Sequence, residues 1–142
     1  MEEFLKLHVP KINAYLGPNY NECHYQKLLN HILNKHKFET SIELSKEIFI
    51  CYDGETVNIG NRRYDIVIHT EGEEDIIIEC KAMVGNATEL NKKQLLSYLE
   101  LNKTRVGFLV KFFSYGGYTV MSDSKEEDNC KNKCQVIKII TN

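Results

Sequence analysis

Apolar residues change their period along this chain, and the changes mark its elements. From the helical stripe Tyr25, Leu28, Leu29, Ile32 and Leu33 a helix is predicted, running to about Lys37. The turn Gly17-Pro-Asn-Tyr-Asn precedes it, and Asn19 or Asn21 can serve as its N-cap. Between Phe38 and Tyr52 the period drops to two. Ile42, Leu44, Ile48, Ile50 and Tyr52 share one face, and Glu43, Ser45 and Glu47 open the other. One apolar and one polar face predict a long, half-exposed strand near a sheet edge. Asp53-Gly54 is a turn signal, Thr56–Ile59 a short strand or extended link, and Gly60-Asn61 a second turn.

Two β-branched runs follow, Tyr64–His69 and Asp75–Lys81, around a polar loop centred on Gly72. They predict a β-hairpin. If the loop is symmetric about Gly72, Asp65 lies opposite Glu79, Val67 opposite Ile77, and Ile66 opposite Ile78. Directly opposed Cβ atoms are about 5 Å apart. Alternation adds Lys81 to the Asp65–Glu79 face. The other face carries Tyr64, Ile66, Ile68, Ile76, Ile78 and Cys80. Both faces are apolar, so both need a cover, and helices on each side of one sheet supply it.

Ala82–Ala87 is a loop, and Thr88 caps a helix predicted to about Asn102. Ala87, Leu90, Gln94, Tyr98 and Leu101 form its expected stripe. Val106, Phe108, Val110 and Phe112 alternate on the next strand. Gly116-Gly117 is a turn, and Tyr118–Met121 continues as strand. Residues 122–134 are a polar surface loop, and Val136, Ile137, Ile139 and Ile140 are a last strand at an added edge. Residues 1–16 have part-helical spacing broken by Pro10, which predicts a short helix or an extended arm. The expectation is an α/β fold of one domain, residues 1–142: a central mixed sheet with helices on both faces.

Composition narrows the class. The length of 142 residues suits one core. No apolar run approaches about 18 residues, so no membrane span is expected. The N-terminus Met-Glu-Glu-Phe-Leu-Lys is acidic and unlike a secretory signal. The five cysteines are odd in number and scattered, which predicts reduced thiols in an intracellular compartment, cytoplasmic or nuclear. Cys130 and Cys134 have a zinc-like spacing but no second pair to complete a site. The net charge of −2 gives no global basic footprint. Positive charge gathers instead at Lys92, Lys93, Lys103, Arg105 and Lys111. Lys92 and Lys93 are a solvated helix face or a contact to a nucleic-acid backbone. Arg62 and Arg63 contact phosphate or balance nearby acids.

The chemistry concentrates at the hairpin. Asp65 and Glu79 on one apolar face repel each other unless a divalent cation sits between them or one keeps its proton. Lys81 neutralises one of them. A plain Asp–Lys–Glu salt-bridge cluster satisfies the same pattern. Glu22 shares the line of the first helix's apolar stripe, and the helix dipole alone also accounts for an acid there.

Asp65 followed by Glu79-Cys80-Lys81 resembles the core motif of the PD-(D/E)XK nuclease superfamily. Gly17-Pro-Asn-Tyr-Asn-Glu-Cys-His-Tyr25 resembles the opening motif of its GxxExxY branch. Glu22 and Tyr25 stand at the Glu and Tyr positions, while Asn19 replaces the Gly. Gln94-Leu-Leu-Ser-Tyr98 resembles the QxxxY motif that follows the core in several branches. Order and spacing fit from Gly17 to Met121. The resemblance implies a restriction-endonuclease-like core and metal-dependent hydrolysis of nucleic acid, DNA before RNA. Asp65 and Glu79 would hold Mg2+ or Mn2+, with the Cys80 carbonyl in reach of the ion. Lys81 would be catalytic, Glu22 would shape the metal site, and Gln94 and Tyr98 would orient Lys81 or contact phosphate. The competing reading is a silent nuclease-fold module that binds nucleic acid or a protein. The small size leaves room for a homodimer.

Overall fold

A computed structural model of the chain describes residues 1–115 and 133–141. Its elements run α1 (Glu2–Leu16), α2 (Glu22–Lys35), β1 (Glu39–Tyr52), β2 (Glu55–His69), β3 (Ile76–Met83), α3 (Glu89–Asn102), β4 (Val106–Phe113) and β5 (Gln135–Ile140). The strands form one sheet in the order β1-β2-β3-β4-β5. β3 and β4 are parallel and every other pair is antiparallel. The parallel pair requires a crossover, and α3 provides it. The expected mixed α/β sheet with helices on both faces is the observed one, and β1 lies at an edge.

Strand alternation sorts the core into two layers. Ile66, Ile68, Ile78, Cys80, Phe108, Val110 and Phe112 pack under α1 and α2. Val67, Ile77 and Leu109 pack under Leu95, Tyr98 and Leu99 of α3. Cys80 therefore points away from the Glu79 face, as its position between Glu79 and Lys81 predicts.

The N-terminal segment is a single helix that continues through Pro10. An internal proline costs a helix about 3 kcal/mol. Leu5, Val9 and Ile12 are fully or almost fully buried, and each such side chain contributes about 1.5–3 kcal/mol. Packing outweighs the break. Gly17, at φ 76°, ends the helix in a conformation that suits glycine.

Gly60-Asn61 is not a turn, contrary to the sequence expectation. β1 and β2 form one long ribbon around the Asp53-Gly54 turn. The pairs Phe49–Asn58 and Ile48–Gly60 leave Ile59 as an extra residue, a β-bulge. Asn58 Oδ1 accepts the Gly60 N–H at 2.9 Å, and Gly60 takes φ 128°. The glycine that reads as a turn is needed by the bulge. A second irregularity corrects the placing of Tyr64. It packs with Val67 and Tyr98, not with Ile66. The pairs Ile42–Ile66 and Leu44–Tyr64 keep one register, but Glu43, at φ 55°, makes no pair with Asp65 between them. The facing of the side chains breaks at that point without a shift of register.

The Gly116-Gly117 turn, the strand at 118–121, most of the polar loop at 122–134, and Cys130 lie outside the described residues. Among the described residues, no helix is long and apolar enough to cross a membrane.

Candidate active site

The hairpin brings two acids together. Its register is the symmetric one, with Ile66 opposite Ile78, Val67 opposite Ile77, and Ile68 opposite Ile76. Beside the first of these pairs, a side chain links the strands. Asp65 Oδ2 accepts the Cys80 N–H at 2.8 Å. The Asp65 and Glu79 carboxyls also hydrogen-bond to each other. Glu79 is only 5% exposed. Burial, first, and then the hydrogen bond and charge of Asp65 push its carboxyl up to about 10, against the pull of Lys81. Burial and the neighbouring charge thus favour one proton held by the pair of carboxyls at neutral pH.

Two more charges share this neighbourhood. Glu22 is the first residue of α2 and half-buried. Burial raises its carboxyl, Lys81 pulls it back, and Asp65 and Glu43 push it up again. Lys81 is half-buried and opposes the shifts of both Glu22 and Glu79. The structure thus gathers Glu22, Asp65, Glu79 and Lys81 from one helix and one hairpin. The α2 N-terminus that carries Glu22 is closed locally, with the Asn21 N–H donating to His24 Nδ1 at 3.0 Å.

The stripe of α3 differs from the expected line. Leu95, Tyr98 and Leu99 are its buried residues, while Leu90 is 75% exposed and Leu101 also faces out. The sheet decides this. At Gly107 of β4 an added Cβ would stand 2.9 Å from Leu99 Cδ2, so the glycine leaves the hollow that Leu99 fills. Tyr98 is buried, and Gln94 sits at the exposed rim and donates to Tyr98 Oη at 2.8 Å. The Tyr64 ring meets Tyr98 edge-on at 5.6 Å. Burial, followed by the charge of Glu79, raises the Tyr98 phenol, against Arg62 and Lys81. Tyr98 is therefore electrostatically part of the acid cluster. Lys92 pairs with Glu89 at 2.9 Å, and Lys93 is exposed. Lys111, expected among the accessible charges, is fully buried and donates to the Lys133 carbonyl.

Periodicity gives no role to several residues that hold the site in place. Gln26 is 2% exposed and donates to Glu43 Oε1 at 3.0 Å and to the Asp65 carbonyl at 3.3 Å. It fastens α2 to β2 one turn beyond Glu22. Its only sequence signal is an amide beside Tyr25 on a helix that faces a core. Tyr25 donates to the Gly17 carbonyl at 2.5 Å and stacks on Phe112 at 4.9 Å. Asn13 pairs through both side-chain atoms with the Phe113 backbone, at 3.0 and 2.7 Å. Ser114 Oγ donates to Tyr20 O at 2.5 Å and to Pro18 O at 3.2 Å. These contacts fix the loop before α2 against the end of β4.

A cation fits the donor set. Two carboxyls in contact supply hard oxygens of the kind a divalent cation takes in place of a shared proton. Among the described residues, no three His, Cys, Asp or Glu side chains form a metal cluster. Two carboxylates with main-chain oxygen and water are nevertheless a sufficient set for Mg2+, which keeps several waters.

Sheet, crossover helix and an Asp…Glu-x-Lys hairpin define a nuclease-type core, and the family comparison agrees. A family model of the PD-(D/E)XK nuclease superfamily matches residues 5–120, and the chain belongs to that superfamily. Its nucleases generally use divalent metals. Two solved structures are similar. The protein SSO0001 is 23% identical with a TM-score of 0.55, over 81% of this chain and 48% of its own. AF1548, described as a protein of unknown function, is 17% identical with a TM-score of 0.46, over 67% of this chain and 49% of its own. The chain spans about half the length of either. Comparison with curated proteins returns no match.

Proposed function

We propose that the protein is a metal-dependent nuclease of the GxxExxY type that hydrolyses phosphodiester bonds in DNA. The observation that carries this reading is the hydrogen-bonded Asp65–Glu79 pair with Lys81 in its field. A purely structural acid pair would be expected to end in a salt bridge. Here neither acid makes an ion pair among the described residues.

Asp65 and Glu79 would hold the ion, with the Cys80 carbonyl and water as further oxygen donors. When bound, a divalent cation polarises the phosphoryl oxygen and acidifies water. Lys81 orients the attacking water and stabilises negative charge developing on the phosphoryl group. Glu22 restrains Lys81 and the water beside it. Gln94 and Tyr98 direct an amide and a phenol to a phosphate oxygen, and Lys92 and Lys93 meet the backbone beyond it.

The test incubates the parent and the Asp65→Ala and Lys81→Ala variants with labelled DNA and RNA, in Mg2+, Mn2+ or EDTA. The expected result is DNA cleavage that needs metal and is lost in both variants while they remain folded. Equal cleavage by parent and variants would sink the assignment. A folded parent that cleaves nothing and binds no metal would favour a silent binding module.

A further inference from the structure

A groove of about 400 Å3 opens beside the acid cluster, between β2 and the first turns of α3, lined by Arg62, Leu90, Asn91, Lys93, Gln94 and Ser97. Arg62 is held in place there. Its guanidinium lies 4.4 Å from the centre of the Tyr98 ring, and Nη1 donates to Ser97 Oγ at 3.1 Å. Pinning the planar fork in advance reduces what is lost when it binds an anion. An arginine that served to balance acids would pair with one. Its neighbour Arg63 does so, bonding Glu43 at 3.1 Å. Arg62 makes no ion pair among the described residues. The same contrast recurs on α3, where Lys92 is paired with Glu89 while Lys93 has no such partner among the described residues. Of the four neighbours Arg62, Arg63, Lys92 and Lys93, the two that line the groove are the two without a carboxylate partner among the described residues. Asn91, Gln94 and Ser97 add neutral polar groups, and Leu90 offers an exposed apolar lip.

Tyr98 joins the groove to the acids. Its ring carries Arg62, its hydroxyl takes the Gln94 hydrogen bond, and it lies in the field of Glu79 and Lys81. Arg62 precedes Asp65 by three residues of β2, about 10 Å of strand. That is about three base-pair rises along the axis of a DNA duplex. We infer that this groove seats a backbone phosphate flanking the scissile one, with Arg62 and Lys93 as its cationic clamp. The inference rests on the nuclease reading and gives it a substrate contact distinct from the metal site.

The test measures binding of a fluorescein-labelled DNA duplex with a single-stranded tail, by anisotropy, with Ca2+ in place of Mg2+ and over a series of salt concentrations. The proteins are the parent, Arg62→Ala, Arg62→Lys, Lys93→Glu, the Arg62→Ala/Lys93→Ala double variant, and Lys35→Ala on the last turn of α2 as a control. The double variant is expected to bind about tenfold to a hundredfold more weakly, with a salt slope shallower by about 1.8 for two lost phosphate contacts. Arg62→Lys keeps the slope and loses affinity, because an ammonium lacks the fork. Lys93→Glu lies at an exposed position and reads the groove even if variants at Arg62 melt. In cleavage assays KM rises more than kcat falls. If the parent cleaves DNA while the double variant and Lys93→Glu match its affinity and slope, the groove has no such role and the nuclease reading stands. A parent that neither binds nor cleaves overturns both.

Discussion

Glu79 makes the stability of this protein depend on pH in an unusual direction. Its ordinary value is 4.5, and burial beside Asp65 pushes it up to about 10 in the folded chain. Between these values the folded chain holds a proton that the unfolded chain has lost. Stability is then greatest at low pH and falls as pH rises. Each pH unit within that window removes about 1.36 kcal/mol for one full proton of difference. From about pH 5.5 to about pH 7.5 the loss is on the order of 3 kcal/mol. A chain of 142 residues unfolds with an entropy of about 0.3 kcal/mol/K, so Tm drops by about 10 °C over that interval. Glu79→Gln removes the titration and keeps a neutral donor toward Asp65. Thermal melts of the parent and this variant in EDTA, across the same pH range, isolate the effect, because titrations elsewhere are common to both and cancel. The expected outcome is a steeper fall of Tm in the parent, with the variant the more stable of the two at the upper end. Parallel lines would show that Glu79 is ionised in the fold and that the acids do not share a proton.

The same proton must leave when a divalent ion binds. Apparent Mn2+ affinity should therefore rise about tenfold per pH unit in that window, and calorimetry in buffers of different ionisation heat should register about one proton released; zero release would contradict the shared proton. Gln26→Ala leaves the Asp65 carbonyl and Glu43 without their donor, and should cost about 1–3 kcal/mol in denaturant melts; an unchanged midpoint would mean that water replaces the amide at no cost. Gly107→Ala drives a methyl against Leu99, at 2.9 Å, and against the Ile77 carbonyl, at 3.2 Å. It should cost about 1–3 kcal/mol, and a double-mutant cycle with Leu99→Ala should recover part of that loss; strict additivity would count against the contact.

Period-two alternation is a strong signal wherever a strand is regular, and the β2–β3 register at Ile66, Val67 and Ile68 follows from it directly. The meeting of Asp65 and Glu79 follows in turn. The expectations fail where the regular geometry breaks. Tyr64 changes face where the Glu43–Asp65 pair is missing and Glu43 takes a positive φ, and no residue type announces a break of that kind. Gly60 carries the same mark for a bulge as for a turn, since both require positive φ. On α3, Leu90 and Leu95 are equally apolar, and only the hollow at Gly107, on another element, selects the face that is buried. Gln26 and Asn13 act on partners 39 and 100 residues away, beyond the reach of any local pattern. The acids were therefore legible as a pair, and the supports that hold them were not.

The clamp between Asn13 and the Phe113 backbone also has a consequence in time. It joins positions 100 residues apart in the chain. While a ribosome is making the protein, α1 exists long before the strand that covers its apolar stripe. At about 5–20 residues per second, Leu5, Val9 and Ile12 wait between about 5 and 20 s for β4 to emerge. During that interval the apolar stripe of α1 lacks the sheet that later buries it, and only α2 can cover part of it.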